Sequence, residues 1–103
     1  MVLEIADIAV LPGTEEEFAA AAREGIRYVS DTPGFRNARL TRSIESPGRF
    51  VLLIEWDSVE AHTVGFRESE NFGRWRHHIG PFLTGDPRVE HFDDIALPGP
   101  AAR

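Results

Sequence analysis

The chain contains neither cysteine nor lysine. The first absence removes disulfides, a thiolate nucleophile and any cysteine-ligated metal centre. The second removes Schiff-base chemistry and the lysine of a phosphate-binding loop, since all 11 basic residues are arginine. Seventeen acidic residues outnumber them and leave a net charge of −6. That balance has no electrostatic footprint for nucleic acid or an anionic membrane as partner. No apolar run approaches the roughly 18 residues of a membrane span. The opening stretch Met1–Gly13 has acids inside its apolar run and no basic leader, so no signal peptide is expected and a cytoplasmic location is. A Gly-rich phosphate loop, GxSxG and HExxH are missing too.

What is there reads as one domain with a single modest core, over residues 1–97, followed by a tail at 98–103. Val2–Leu11 alternates as a strand, with Val2, Glu4, Ala6, Ile8 and Val10 against Leu3, Ile5, Asp7, Ala9 and Leu11. Asp7 lies on the more apolar side, as either a salt-bridged aspartate or a polar group at a pocket wall. Pro12-Gly13 stops the strand, and Thr14-x-x-Glu17 predicts a capping box at a helix start. Phe18, Ala21, Ala22, Gly25, Ile26 and Val29 then recur at helical spacing, a stripe of small residues suited to close packing. After the turn Asp31–Gly34, Phe35–Ile44 reads as a strand with Ala38, Leu40 and Ile44 on one side. Ser46–Arg49 turns it into Phe50–Trp56.

Phe50–Trp56 is apolar on both alternating faces, Phe50/Leu52/Ile54/Trp56 and Val51/Leu53. A strand of that kind is covered on both sides. A helix in two pieces follows, with Val59, His62 and Phe66 on one face and Phe72, Trp75, Ile79, Phe82 and Leu83 on another. Val89–Ile95 is the last strand, carrying Val89, His91, Asp93 and Ile95 on one side. The order βαββαβ predicts a ferredoxin-like α+β fold, an antiparallel sheet with both helices on one face. The other face would be a large apolar patch, and pairing two sheets as a homodimer would cover it.

The candidate chemistry gathers around His62 and His91, ionisable groups within apolar stripes. His77 falls opposite the Trp75/Ile79 face and is expected in solvent, while His78 and Arg76 lie at its borders. A metal site would need His62, His91 and a carboxylate such as Asp7 to converge; no metal and no cofactor is expected. Trp56, Phe66, Trp75 and Phe82 supply flat apolar walls, with Asp7 and Arg76 as polar contacts. Such a pocket suits a planar, weakly acidic, small aromatic ligand whose proton an imidazole takes.

The segments Trp56–His62 (WDSVEAH), GFRESENFGRWR, IGPFL and PRVEHF, with the TPGF turn, resemble the antibiotic biosynthesis monooxygenase (ABM) family over Val2–Ile95. The resemblance implies a dimeric α+β barrel with a pocket between sheet and helices. It implies oxygenation of polyketide anthrones or quinols by O2 without metal, flavin or haem, with His62 as base and Trp75 and Phe66 as walls. Other relatives degrade haem with a first-strand asparagine, a tryptophan and a histidine. Here Asp7 stands near the asparagine position, and His77/His78 are out of register behind Trp75. Still others isomerise small phosphorylated sugars. The rival of a different class is a non-catalytic dimeric binding module. A cavity open to solvent with His62 or His91 facing it separates catalysis from a solid core.

Overall fold

In the computed structural model, which describes residues 1–99, the elements run β1 (Val2–Ala9), α1 (Glu15–Ser30), β2 (Phe35–Arg42), β3 (Arg49–Trp56), a π-helical turn (Ala61–Phe66), α2 (Glu70–Ile79) and β4 (Arg88–Phe92). The sheet order is β2-β3-β1-β4, with every neighbouring pair antiparallel. This is the expected ferredoxin-like α+β fold. Both central strands bury alternate residues toward the helices: Glu4, Ala6 and Ile8 from β1, and Phe50, Leu52, Ile54 and Trp56 from β3. Phe18, Ala22, Gly25 and Val29 of α1 close over them. The Phe18 and Phe50 rings meet at 4.8 Å. Gly25 lets α1 lie against α2, since an added Cβ would stand 3.0 Å from His78 Cβ and 3.1 Å from Trp75 Cε3.

Several sequence expectations are corrected at element ends. β1 stops at Ala9; Val10 makes an isolated bridge to Leu83, and the Leu11 N–H donates to the Phe82 carbonyl. β2 stops at Arg42, leaving Ile44 in the hairpin and 91% exposed. β4 stops at Phe92, so Asp93 and Ile95 do not continue its inner face, and Ile95 is 83% exposed. Residues 100–103 of the expected tail lie outside the described residues. The capping box does not form. Thr14 Oγ1 donates backward to the Leu11 carbonyl, and Glu15 rather than Glu17 accepts an N–H, from Gly13. The turn at Pro12-Gly13 draws the Thr14 hydroxyl into its own hydrogen bonding and away from the helix start.

The second helical passage holds the least expected feature. Ser58 Oγ accepts the Ala61 N–H at 3.1 Å, and the chain then widens into a π turn closed by Arg67 N–H to the His62 carbonyl at 2.9 Å. Such turns are rare and cluster at functional sites. This one keeps both His62 and Phe66 on the buried side. It is braced by Gly34, which has φ +93° and whose missing Cβ would stand 2.6 Å from Ala61 Cβ. Gly34→Ala should therefore destabilise the fold by roughly 1–3 kcal/mol through strain and clash. Gly73→Ala in α2, whose added methyl meets nothing within 4 Å, should instead stabilise by about 0.5–1 kcal/mol. Urea unfolding of the two variants checks the contrast.

Candidate functional site

The site grows out of one face of β1. Glu4 points to the helix side between Val2 and Ala6 and is 5% exposed. Its cross-strand partners are Ile54 on β3 and His91 on β4. Trp56, fully buried at the end of β3, donates its indole N–H to Glu4 Oε1 at 2.9 Å. The π turn brings His62 Nε2 to 3.4 Å from the same oxygen, and His62 Nδ1 meets His91 Nε2 at 2.8 Å. The His62 ring is layered between Trp56 (centroids 5.3 Å, 17° between planes) and Phe66 (6.2 Å, 22°). Three strand- and turn-borne groups thus form one row, Glu4–His62–His91.

A cavity of about 220 Å³ opens beside this row. Sheet side chains such as Ala6, Ile8 and Leu52 make its floor, and Phe66, Phe72 and Trp75 make its aromatic walls. Glu4 and His62 face it from the deep side, and Arg67, Arg76 and Asp86 provide its other charges. Arg76 pairs with Asp86 at 3.2 Å. Arg67 has no ion-pair partner among the described residues.

Burial sets the protonation states. It pushes His62 down from 6.5 to about 4, with Arg67 and then His91 adding repulsion. His91 is lowered by burial and then by Arg67. Glu4 is raised by burial, against the opposing pull of the Trp56 N–H and of Arg67. The 3.4 Å contact of Glu4 with His62 is therefore that of a carboxyl with a neutral imidazole, not a standing ion pair.

The sequence-derived candidates divide into three groups. His62, Phe66, Trp75 and Arg76 line the cavity, and His91 backs His62. Trp56 is not a wall; it lies behind Glu4 and His62 and holds both. Asp7 and Phe82 are corrected. Asp7 points to the opposite sheet face, where Arg49 binds it through two hydrogen bonds of 3.0 and 2.7 Å and holds its carboxyl below the usual range. β1 alternation makes this unavoidable: with Glu4, Ala6 and Ile8 inward, Asp7 is outward. Phe82 packs against the core in a 3-10 turn that follows α2, away from the cavity. His77 is exposed, and His78 bonds the Arg74 carbonyl and packs on Tyr28, so neither lines the cavity. No group of three His, Asp or Glu side chains among the described residues is placed to hold a metal ion. No described helix is long and apolar enough to cross a membrane.

Sequence reasoning passed over Glu4 and Arg67. Glu4 carried a readable signal, an acid within the stripe Val2/Glu4/Ala6/Ile8/Val10, the same anomaly that singled out His62. Arg67 carried none, because the π turn that aims it departs from ordinary helical spacing.

The depressed His62 gives a pH dependence with a definite sign. The unfolded chain takes up this proton near 6.5, and the native site resists it until about 4. Stability is therefore lost as pH falls through that window. Screening by water at the cavity leaves the effect at about 1–3 kcal/mol. His62→Gln should flatten this limb in chemical denaturation between those two pH values. Glu4 acts in the opposite sense, its raised value costing stability as pH rises above 4.5.

Comparison with known proteins places the chain. The family model for antibiotic biosynthesis monooxygenase matches residues 1–78. The uncharacterised protein YczJ of Bacillus subtilis is 36% identical over 95 residues, covering 92% of this chain and all of YczJ. A candidate antibiotic biosynthesis monooxygenase from Bordetella bronchiseptica is 35% identical in its crystal structure, with a TM-score of 0.90 over 92% of this chain and 97% of that one. SnoaB from Streptomyces nogalater, a cofactor-independent oxygenase, shares the fold at 17% identity, with a TM-score of 0.79 over 93% and 94% of the two chains. With its β-sheet, helices and cavity built as described, the chain belongs to the antibiotic biosynthesis monooxygenase family.

Proposed function

We propose that this protein is a cofactor-independent monooxygenase that uses O2 on a small, weakly acidic aromatic substrate of the quinol type. The observation that carries the reading is the cavity itself, walled by Phe66, Phe72 and Trp75 and faced by Glu4 and His62, with His91 behind His62. Its volume of about 220 Å³ lies below the roughly 300–1,000 Å³ of sites for drug-sized ligands. That favours a single ring over a fused anthrone. In this chemistry the protein removes a proton and the resulting anion supplies the electrons to O2. One oxygen atom enters the ring carbon, and the other leaves as water with the two hydrogens that the substrate loses. Walls that exclude water protect the anion, and His62 with His91 behind it belongs to the proton-handling group.

A second reading, a binding module without chemistry, is favoured by Arg67, a cation at the cavity with no ion-pair partner among the described residues. It would hold an anionic aromatic ligand by charge alone. Either way the functional unit proposed is a homodimer, joined through the outer sheet face. Leu3, Ile5, Val51 and Leu53 stand half-buried there, with the Asp7–Arg49 pair at one edge.

An oxygen electrode with a panel of hydroquinones and anthrones tests the proposal. Consumption with the single-ring members, lowered about 100-fold or more in His62→Ala, is the expected result. Ligand binding without oxygen consumption by the wild type would instead favour the module. Sedimentation at micromolar concentration should give a two-chain mass, and a stable soluble monomer would overturn the paired-sheet interface.

A further inference from the structure

We infer that Glu4 is the proton acceptor of the cavity, and that the two histidines form a donor chain holding it, from His91 Nε2–H to His62 Nδ1 and from His62 Nε2–H to Glu4 Oε1. This rests on the reading of the cavity as the ligand site, and it moves the role of base away from His62.

The direction of the chain follows from counting hydrogens. Glu4 Oε1 already accepts the Trp56 indole N–H at 2.9 Å, so a second nitrogen facing that oxygen presents a hydrogen rather than a lone pair. His62 Nε2 is the other nitrogen near that oxygen, at 3.4 Å, a contact longer than the Trp56 hydrogen bond and oriented by charge and dipole. A neutral imidazole has one N–H, and burial keeps His62 neutral near pH 7. With that hydrogen on Nε2, Nδ1 is bare and must accept. The group that meets it is His91 Nε2, at 2.8 Å. His62 thus has both nitrogens committed within the protein, which leaves it no lone pair for a ligand.

Glu4 is not saturated in this way. Both contacts fall on Oε1, and no side chain among the described residues bonds Oε2. Glu4 lines the cavity, so Oε2 is the acceptor a ligand meets. In the step assigned here, a ligand O–H or acidic C–H bond breaks and its electron pair stays on the ligand. The proton joins Glu4 Oε2. Arg67 lies at the same cavity to compensate the ligand anion, while Arg76 is balanced by Asp86. The charged and titratable groups facing Glu4 are thus His91 from β4, His62 from the π turn, Arg67 just after it, and Arg76 and Asp86 across the cavity; β3 contributes the uncharged indole of Trp56. Burial raises the Glu4 carboxyl toward the working pH, which makes it a stronger base than a solvated glutamate.

Long-range 15N NMR of the ligand-free protein at neutral pH tests the chain without any substrate. The expected result is the Nε2–H tautomer for both His62 and His91. A His62 Nδ1–H tautomer would overturn the inference, because it leaves Nε2 bare as an acceptor and restores His62 as the base. Kinetics with a consumed substrate form the second arm. Glu4→Gln keeps the shape and an acceptor for Trp56, yet should lose about 100-fold or more in kcat together with the acid limb of the pH profile. Unchanged turnover with the same limb would overturn the base assignment. His91→Phe should shift that limb and lower kcat about tenfold at unchanged KM, while His91→Gln, which retains an N–H donor, restores most of it. If the wild type consumes oxygen with no member of the panel, the oxygenase reading fails by itself and the tautomers still decide the chain.

Discussion

The indole N–H of Trp56 and the carboxyl of Glu4 meet at 2.9 Å on the dry side of the sheet. A carboxyl there without partners would cost several kcal/mol or stay protonated. Trp56 supplies one donor, His62 Nε2 lies 3.4 Å away, and Arg67 adds a favourable field. That satisfaction depends on register. Val2 pairs with Trp56 and Glu4 with Ile54, so the indole reaches diagonally back over β1. A slip of one residue would turn Glu4 to the outer face and bring Asp7 inward, since strand side chains alternate.

From this contact the rest of the cavity can be followed. The Trp56 indole that holds Glu4 also layers against His62, which is layered in turn against Phe66. Phe66 meets Phe72 edge-on at 5.5 Å, carrying the wall from the π turn into α2. Gly25 of α1 admits Trp75 and His78 at close range, so the far wall rests on the small-residue stripe of the first helix. Each polar group is thus fixed by an aromatic surface, and each aromatic surface by backbone packing. A cavity held this way keeps its shape before a ligand arrives, which is what proton transfer between positioned groups requires.

The two faces of the sheet do different work. The inner face carries the buried polar groups Glu4 and His91 and the Trp56 indole. The outer face carries Leu3, Ile5, Val51 and Leu53, with the Asp7–Arg49 pair at its margin. The two acids of β1 therefore have opposite fates. Glu4 is raised by burial, while Asp7 is held ionised by two bonds from an arginine at the surface.

The sequence by itself determined the order of elements, the ferredoxin-like class and the apolar faces that hold His62 with Phe66 and Trp75 with Phe72, because periodicity in strands and helices is a local property. It marked β3 as apolar on both faces for the same reason. It read the Asp7 side of β1 as the more apolar, although Val2/Glu4/Ala6/Ile8 and Leu3/Ile5/Asp7/Ala9 each carry three apolar residues and one acid. Only packing under α1 chose between them, and that choice exchanged Asp7 for Glu4 in the site. The meeting of Glu4, His62 and His91 joins β1, a π turn and β4 across 87 residues of chain. No local spacing encodes such a meeting, because it arises from antiparallel register together with one widened helical turn.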